Sequence, residues 1–300
     1  MILVAGSTGF VGQSICRRLV AEGRPVRALV RSTAAADKVD ALRQLGVEIV
    51  TGDVRDRASL DAACRRVDTV ISTVSAMPMA YVAGDNDVHT VDEVGLANLI
   101  DAAQAARVDH FIYTSFSANM DLDFPLRNAK RATEARVQQS GMTYTILRPS
   151  YFMEIWLSPV VGFDYPNGAI QVYGDGEQPI SFISLEDVAQ FAVASLHNPA
   201  ARNAVLELGG PAALSPHQVI RHFEQVADRP FVVSHVPEAA LAEQQQSAAD
   251  PMQQSFAGLM RCYARGDAID MKVTQQEFAL PMTTVAQYAA AVLGTPVAAD

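Results

Sequence analysis

Short apolar runs alternate with amphipathic helical stretches through the first half of this 300-residue chain, and the first run, Ile2-Leu3-Val4-Ala5, ends in Gly6-Ser7-Thr8-Gly9-Phe10-Val11-Gly12. Nearly all-apolar strands separated by helices call for a parallel sheet covered on both faces. Together the two observations predict an α/β fold: a doubly wound Rossmann-type parallel sheet with a smaller C-terminal substrate-binding lobe.

The order of elements follows from the pattern. A strand at 2–5 and the glycine turn lead into a helix whose apolar side carries Val11, Ile15, Leu19 and Val20. A strand at 25–30, a helix near 34–44, a strand at 47–50 and a short helix near 57–66 come next. A strand at 69–74 then precedes a long helix from about His89 to Ala106. The half closes with a strand at 111–114, a helix around 127–139 and a strand at 144–147. After Arg148-Pro149 the rhythm breaks: residues 150–183 are rich in aromatics, Gly and Pro and read as loop. A helix near 185–196 and a strand at 204–208 rejoin the sheet. The tail carries a helix at 215–227, a strand at 231–233 and further helices to about Leu293, of which 237–268 reads as a lid or packing layer. The expected organisation is a dinucleotide-binding domain at 1–150, with 184–210 returning to it, and a smaller substrate lobe made of 151–183 and 211–300.

Strand, glycine turn and helix in this order form a grip for a dinucleotide. Gly6 permits the tight turn, Gly9 lets backbone N–H groups approach a pyrophosphate, and Gly12 lets the helix pack close to the strand. An NAD site usually carries Asp or Glu at the end of the second strand, for the ribose 2′-hydroxyl. Here that place holds Arg31, then Ser32 and Thr33. An arginine and hydroxyls suit a 2′-phosphate, and a charge-assisted bond of about 1.5–3 kcal/mol gives a roughly tenfold to hundredfold preference for NADP. The alternative is a solvated arginine at a strand end.

Composition sets bounds. Hydrophobic residues at 49% are ample for a core, and a formal charge of -10 without a basic stripe argues against nucleic acid. Cys16, Cys64 and Cys262 are scattered, with no spacing for a metal or a disulfide framework, which fits a reducing cytoplasm. Residues 1–12 read as part of the fold rather than as a secretory signal, and no apolar run approaches the ~18 residues of a membrane span. His217 and His222 are five apart on one predicted helix, so they face different ways and make no metal grip.

Further matches run the length of the chain: Val30-Arg31-Ser32, Gly52-Asp53-Val54, Tyr113-Thr114-Ser115, Lys130, Tyr144-Thr145-Ile146-Leu147-Arg148-Pro149 and Phe182-Ile183-Ser184-Leu185-Glu186-Asp187-Val188-Ala189. On these the chain resembles an atypical short-chain dehydrogenase/reductase, and specifically the NmrA-like NAD(P)H-binding family, whose members are quinone oxidoreductase-like and isoflavone reductase-like. The resemblance implies NADPH as cofactor. It assigns Gly6, Ser7, Thr8, Gly9, Phe10, Val11 and Gly12 to the pyrophosphate and Arg31 with Ser32 to the 2′-phosphate. Asp53 and Val54 would flank the adenine; Thr73, Val74 and Ser75 would line the nicotinamide side; Ser115 and Lys130 would complete that side. Pro149, Ser150, Tyr151 and Phe152 would cover the nicotinamide.

In the parent superfamily a Tyr four residues before the Lys protonates the substrate oxygen. Lys130 stands at the superfamily lysine's usual distance before the strand at Tyr144, but four residues before it is Leu126, which donates no proton. Three explanations stay open. Solvent supplies the proton to a quinone or conjugated acceptor; or Lys130 is itself the acid or base, as in isoflavone and benzylic ether reductases; or the fold only senses NADP(H). A solvated Lys130 beside Arg127, Arg131 and Arg136 is the bland alternative. Tyr81, Tyr113, Tyr151 and Ser115 are further candidate donors, Tyr81 foremost because its loop follows the cofactor strand.

Ligands bind beyond the carboxyl ends of such strands. Two apolar loops are expected there, 76–82 with Met77, Met79 and Tyr81, and 151–157 with Phe152 and Trp156, the single tryptophan. Neither holds Arg or Lys, so the expected partner is a small, uncharged, flat, apolar molecule. The sequence thus leads to a cytoplasmic NADPH-dependent reductase of a quinone, enone or aromatic polyketide-like compound, with a non-catalytic NADP(H)-sensing regulator as the second reading. A homodimer is compatible with either.

Overall fold

The computed structural model describes residues 1–77 and 86–294. In chain order the elements are β1 (Ile2–Ala5), α1 (Phe10–Ala21), β2 (Val26–Val30), α2 (Ala36–Gln44), β3 (Glu48–Thr51), α3 (Arg57–Ala63) and β4 (Thr69–Ser72). A π-helical segment (Val88–Gly95) runs directly into α4 (Leu96–Ala105), followed by β5 (His110–Thr114), α5 (Pro125–Gln139) and β6 (Thr143–Pro149). Then come α6 (Met153–Trp156), β7 (Phe163–Asp164), β8 (Ala169–Tyr173), α7 (Leu185–Ala194), β9 (Ala204–Leu208), α8 (Pro216–Ala227) and β10 (Val232–Val236). The chain closes with α9 (Glu238–Ser247), α10 (Pro251–Arg265), α11 (Lys272–Phe278) and α12 (Val285–Leu293).

The main sheet has the order β3-β2-β1-β4-β5-β6-β9, and its first six strands pair in parallel. This is the doubly wound arrangement predicted. β1, β4 and β5 are buried along their whole length, which is why they read as unbroken apolar runs, while the edge strand β3 is partly exposed. Leu3, Val4, Val70, Ile71, Phe111 and Ile112 are all fully buried. Each contributes about 1.5–3 kcal/mol of hydrophobic stabilisation. The chain order reverses between β1 and β4, so the carboxyl ends of those two strands mark the switch point where such sheets take ligands.

Two compact units emerge. The first comprises Met1–Phe116, Asn128–Arg148 and Val188–Leu206; the second comprises Ser117–Arg127, Pro149–Asp187 and the chain from Glu207 onward. Residues 117–127 group with the second unit. Ser117 and Asn119 bond the Asp267 carboxylate, and the Leu126 N–H donates to Ser255 Oγ at 3.1 Å.

The loop assignment for 150–183 is corrected. The segment contains α6 and the strands β7 and β8, which form a second sheet of order β10-β8-β7, β8 parallel to β10 and antiparallel to β7. β8 alternates faithfully, with Ala169 and Gln171 exposed and Ile170 and Val172 buried. Its brevity and the turn glycines at either end hide it among residues that otherwise signal loop.

Candidate functional site

The glycine turn is built by three different constraints. Gly6 has φ +84, and a Cβ there would stand 2.5 Å from Thr73 Oγ1, so both backbone and space exclude other residues. At Gly12 a Cβ would lie 2.2 Å from the Gly6 carbonyl oxygen; its absence lets α1 close onto the turn. Gly9 differs: its φ of -80 and ψ of 167 suit any residue, and a Cβ would meet only the Gly6 oxygen, at 3.3 Å. The backbone conformation does not require Gly9; its lack of a side chain spares the Gly6 oxygen a tight contact and leaves the N-terminus of α1 uncovered by a side chain at this position. Gly9 supplies no side-chain cap, and the first turn holds no acid. The leading N–H groups of the helix therefore face outward with the positive end of its dipole, a cradle that fits a pyrophosphate. Ser7 is fully buried and its hydroxyl donates to the Leu29 carbonyl at 2.9 Å, so it braces the turn against β2. Thr8 is half-buried, Val11 is buried, and Phe10 is 59% exposed with Lys38 Nζ 5.8 Å from its ring centroid.

Arg31 and Ser32 are exposed just past β2. Beyond β3 the Asp53 carboxylate is held by Arg55, whose backbone N–H (2.9 Å) and Nε (3.0 Å) donate to Oδ1 and whose guanidinium also donates to Oδ2 at 2.8 Å. That bond, against opposing burial and with added help from the Arg31 charge, lowers the Asp53 carboxyl below its ordinary range. Asp53 is legible in the sequence and Arg55 much less so, its i,i+2 placement in the turn being the available signal. Val54 is buried, and its carbonyl accepts from Asn98 Nδ2 at 3.1 Å. Gly95 allows the contact above it, since a Cβ there would sit 2.7 Å from Val54 Cγ2.

The end of β4 is tied back to β1 through Thr73, whose N–H donates to the Ala5 carbonyl at 3.0 Å and whose hydroxyl reaches the same oxygen at 3.3 Å. Val74 is half-buried and Ser75 exposed, with Ser75 Oγ accepting from the Met77 N–H. Lys130 is only 5% exposed, which removes the solvated-lysine alternative. Its Nζ lies 3.4 Å from Asp92 Oδ1 and 3.5 Å from the Val74 carbonyl, 5.3 Å from the Tyr113 ring centroid. Asp92 is fully buried on the π-helical segment, and its Oδ2 accepts from the Ala76 N–H at 2.7 Å. Asp92 does not stand out in the sequence. A lone carboxylate on a helix face shared with Val88, Val91, Leu96 and Leu99 was the signal for it.

Of the other candidate proton donors among the described residues, Ser115 and Tyr151 are committed to partners and Tyr113 is buried without one. Ser115 donates to the buried Glu134, which also takes Arg131 at 2.6 Å and Arg148. Burial pushes the Glu134 carboxyl up, but the bonds from Arg148 and Ser115 and the Arg131 charge outweigh it and leave it low. Tyr113 is fully buried, and burial drives its phenol far above the usual range. In the second unit Tyr151 is equally buried, raised for the same reason, and donates to the Leu259 carbonyl at 3.0 Å. Pro149 and Ser150 are buried, with the Ser150 N–H on the Leu208 carbonyl at 2.8 Å. Phe152 and Trp156 are half-buried. Trp156 stacks on Tyr263, centroids 5.3 Å apart and planes 19° apart, and meets the Tyr151 ring edge-on at 4.7 Å. Met77 is half-buried; Met79 and Tyr81 lie outside the described residues. Among the described residues no cluster of His, Cys, Asp and Glu is placed to hold a metal ion, and no helix is long and apolar enough to cross a membrane.

The profile of the NmrA-like family matches residues 1–289, and the chain belongs to that family. It is 31% identical to the NAD(P)H azoreductase of Xenophilus azovorans, over 97% of each chain. It is 30% identical to the photosystem II assembly factor Ycf39 of Trieres chinensis, over 79% of this chain and 72% of that one. In fold it is similar to an NADPH-dependent quinone oxidoreductase of Escherichia coli solved with NADPH, at a TM-score of 0.78 and 22% identity, covering 98% of this chain and 100% of that one.

Proposed function

We propose that the chain is an NADPH-dependent reductase that passes hydride to an uncharged, flat, apolar acceptor such as a quinone, an enone or an aromatic polyketide-like compound. The observation that carries the cofactor half is the glycine turn, which sets no side chain at Gly9 over the uncapped start of α1. Arg31 in place of an acid directs the choice towards the 2′-phosphate, with Ser32 beside it. Asp53 takes the adenine side, positioned by Arg55. The relatives named for azo and quinone reduction support the acceptor class.

When bound, the reduced nicotinamide supplies the hydride. The residues of this chain do the rest. The backbone of Thr73, Val74 and Ser75 lines the nicotinamide side. Lys130 anchors the ribose through ammonium donors not used on Val74, and solvent supplies the proton that a quinone-like acceptor takes up. Met77 is the side chain proposed for the acceptor on the first unit, with Met79 and Tyr81 beyond the described residues, and Phe152 and Trp156 are those proposed on the second; Tyr81 stays the foremost side-chain alternative for a donor. Three free, buried cysteines fit a reducing compartment such as the cytoplasm. The relative named as an assembly factor favours one second reading, a non-catalytic NADP(H)-sensing protein.

Arg31 tests the cofactor assignment. NADPH is expected to bind at least tenfold tighter than NADH, about 1.4 kcal/mol or more, and Arg31→Ala to remove most of that gap without changing NADH affinity. Equal affinities for the two nucleotides in the wild type, measured by calorimetry, would refute the role given to Arg31.

A further inference from the structure

Asp92 makes two contacts that the activity proposed above does not by itself explain. One oxygen stands 3.4 Å from Lys130 Nζ and accepts no hydrogen bond among the described residues; the other accepts the Ala76 N–H at 2.7 Å. Its own backbone carbonyl accepts from Thr133 Oγ1 at 3.1 Å, which ties the segment to α5, the helix that carries Lys130. The carboxylate is fully buried on a π-helical segment capped at its start by a reciprocal Asp87–Thr90 pair. π-helical turns widen the backbone locally and cluster at functional sites. A charged group taken wholly out of water persists only where its charge is answered. Here the answering charge is Lys130 on α5, whose ammonium lies beside the Val74 carbonyl just past β4.

We propose that Asp92 is a positioning residue of the site: its carboxylate holds the Lys130 ammonium in register beyond the carboxyl end of β4 and, through the Ala76 N–H, fixes the backbone at Ala76. The inference rests on the cofactor role given to Lys130 above. Lys130 has three ammonium donors. With Val74 on one side and Asp92 on another, the remaining direction is set rather than free to rotate. Losing the carboxylate leaves the amine in place but unaimed.

The test is a double-variant cycle read on NADPH itself. Asp92→Asn keeps an acceptor for the Ala76 N–H and removes the charge; Lys130→Met removes its partner; the pair together is neutral. NADPH dissociation constants come from calorimetry, with circular dichroism as the check on folding. Asp92→Asn is expected to weaken NADPH about tenfold in the wild-type background and less than twofold when Lys130 is already Met. A merely structural role would couple the two residues in melting temperature but leave the affinities additive, and that result would overturn the proposal. Should Asp92→Asn alone not fold, the half of the cycle without the lysine still decides: a further tenfold loss there overturns the proposal, and an unchanged affinity supports it. Wild-type protein that binds no NADPH would instead remove the reductase reading on which the inference stands.

Discussion

Gly9→Val is expected to abolish the binding of both NADPH and NADH, a loss of at least a hundredfold, while leaving the fold intact. The two halves of that expectation come from different atoms. The backbone at Gly9 is extended and accepts any residue, and a Cβ meets one atom, the Gly6 carbonyl oxygen at 3.3 Å, which must give by a few tenths of an ångström, so the unbound protein keeps its fold at a modest cost. The branched side chain then fills the space over the start of α1 where the phosphates should lie. Gly12→Val is the contrast. Its Cβ would be 2.2 Å from a backbone oxygen, and the strand, turn and helix must separate to admit it. Calorimetry with far-UV circular dichroism separates the two cases. A folded Gly9→Val protein that still binds NADPH would place the phosphates elsewhere.

Lys130→Met carries the second large effect, and it has two components. Removing the ammonium leaves the fully buried Asp92 carboxylate without its counter-charge, which costs about 3–5 kcal/mol of stability. Adding Asp92→Asn is expected to restore most of the lost melting temperature, because the remaining pair is neutral. The functional component separates anchor from acid. As an anchor, Lys130 contributes one charged hydrogen bond, and its loss weakens NADPH roughly tenfold to hundredfold with turnover at saturating cofactor little changed. As the acid or base, its loss leaves binding nearly intact and lowers kcat about a hundredfold or more. The burial of Lys130 and its contacts with Val74 and Asp92 favour the anchor. Steady-state kinetics with NADPH varied, on the neutral pair as well as on the single variant, distinguishes the two.

What the sequence revealed and what it hid divide along physical lines. The glycine turn was legible because its constraints are local: three glycines and the strand and helix around them lie within 21 residues of chain. The parallel sheet was legible because strands buried on both faces leave unbroken apolar runs. Pairings formed across long stretches of chain were not. Asp92 meets Lys130 only after α4 and β5 have been laid down between them, and Glu134 gathers Ser115 and Arg148 from beyond its own helix. Ser115 and Tyr151 looked like free hydroxyls in the sequence, and each is spent on a buried partner. The small sheet was hidden for another reason. Its strands are short, partly exposed and set among turn residues, so their alternation is weak beside the loop signals around them.

The most direct measurement is the oxidation of NADPH by the wild-type protein in the presence of a panel of quinones and enones, followed through the absorbance of the reduced nicotinamide. The reductase reading predicts consumption of NADPH only when an acceptor is present, with one equivalent of reduced acceptor formed for each NADPH lost and far slower turnover with NADH. Tight NADPH binding with no oxidation by any acceptor in the panel would contradict it and leave the chain as a sensor of NADP(H).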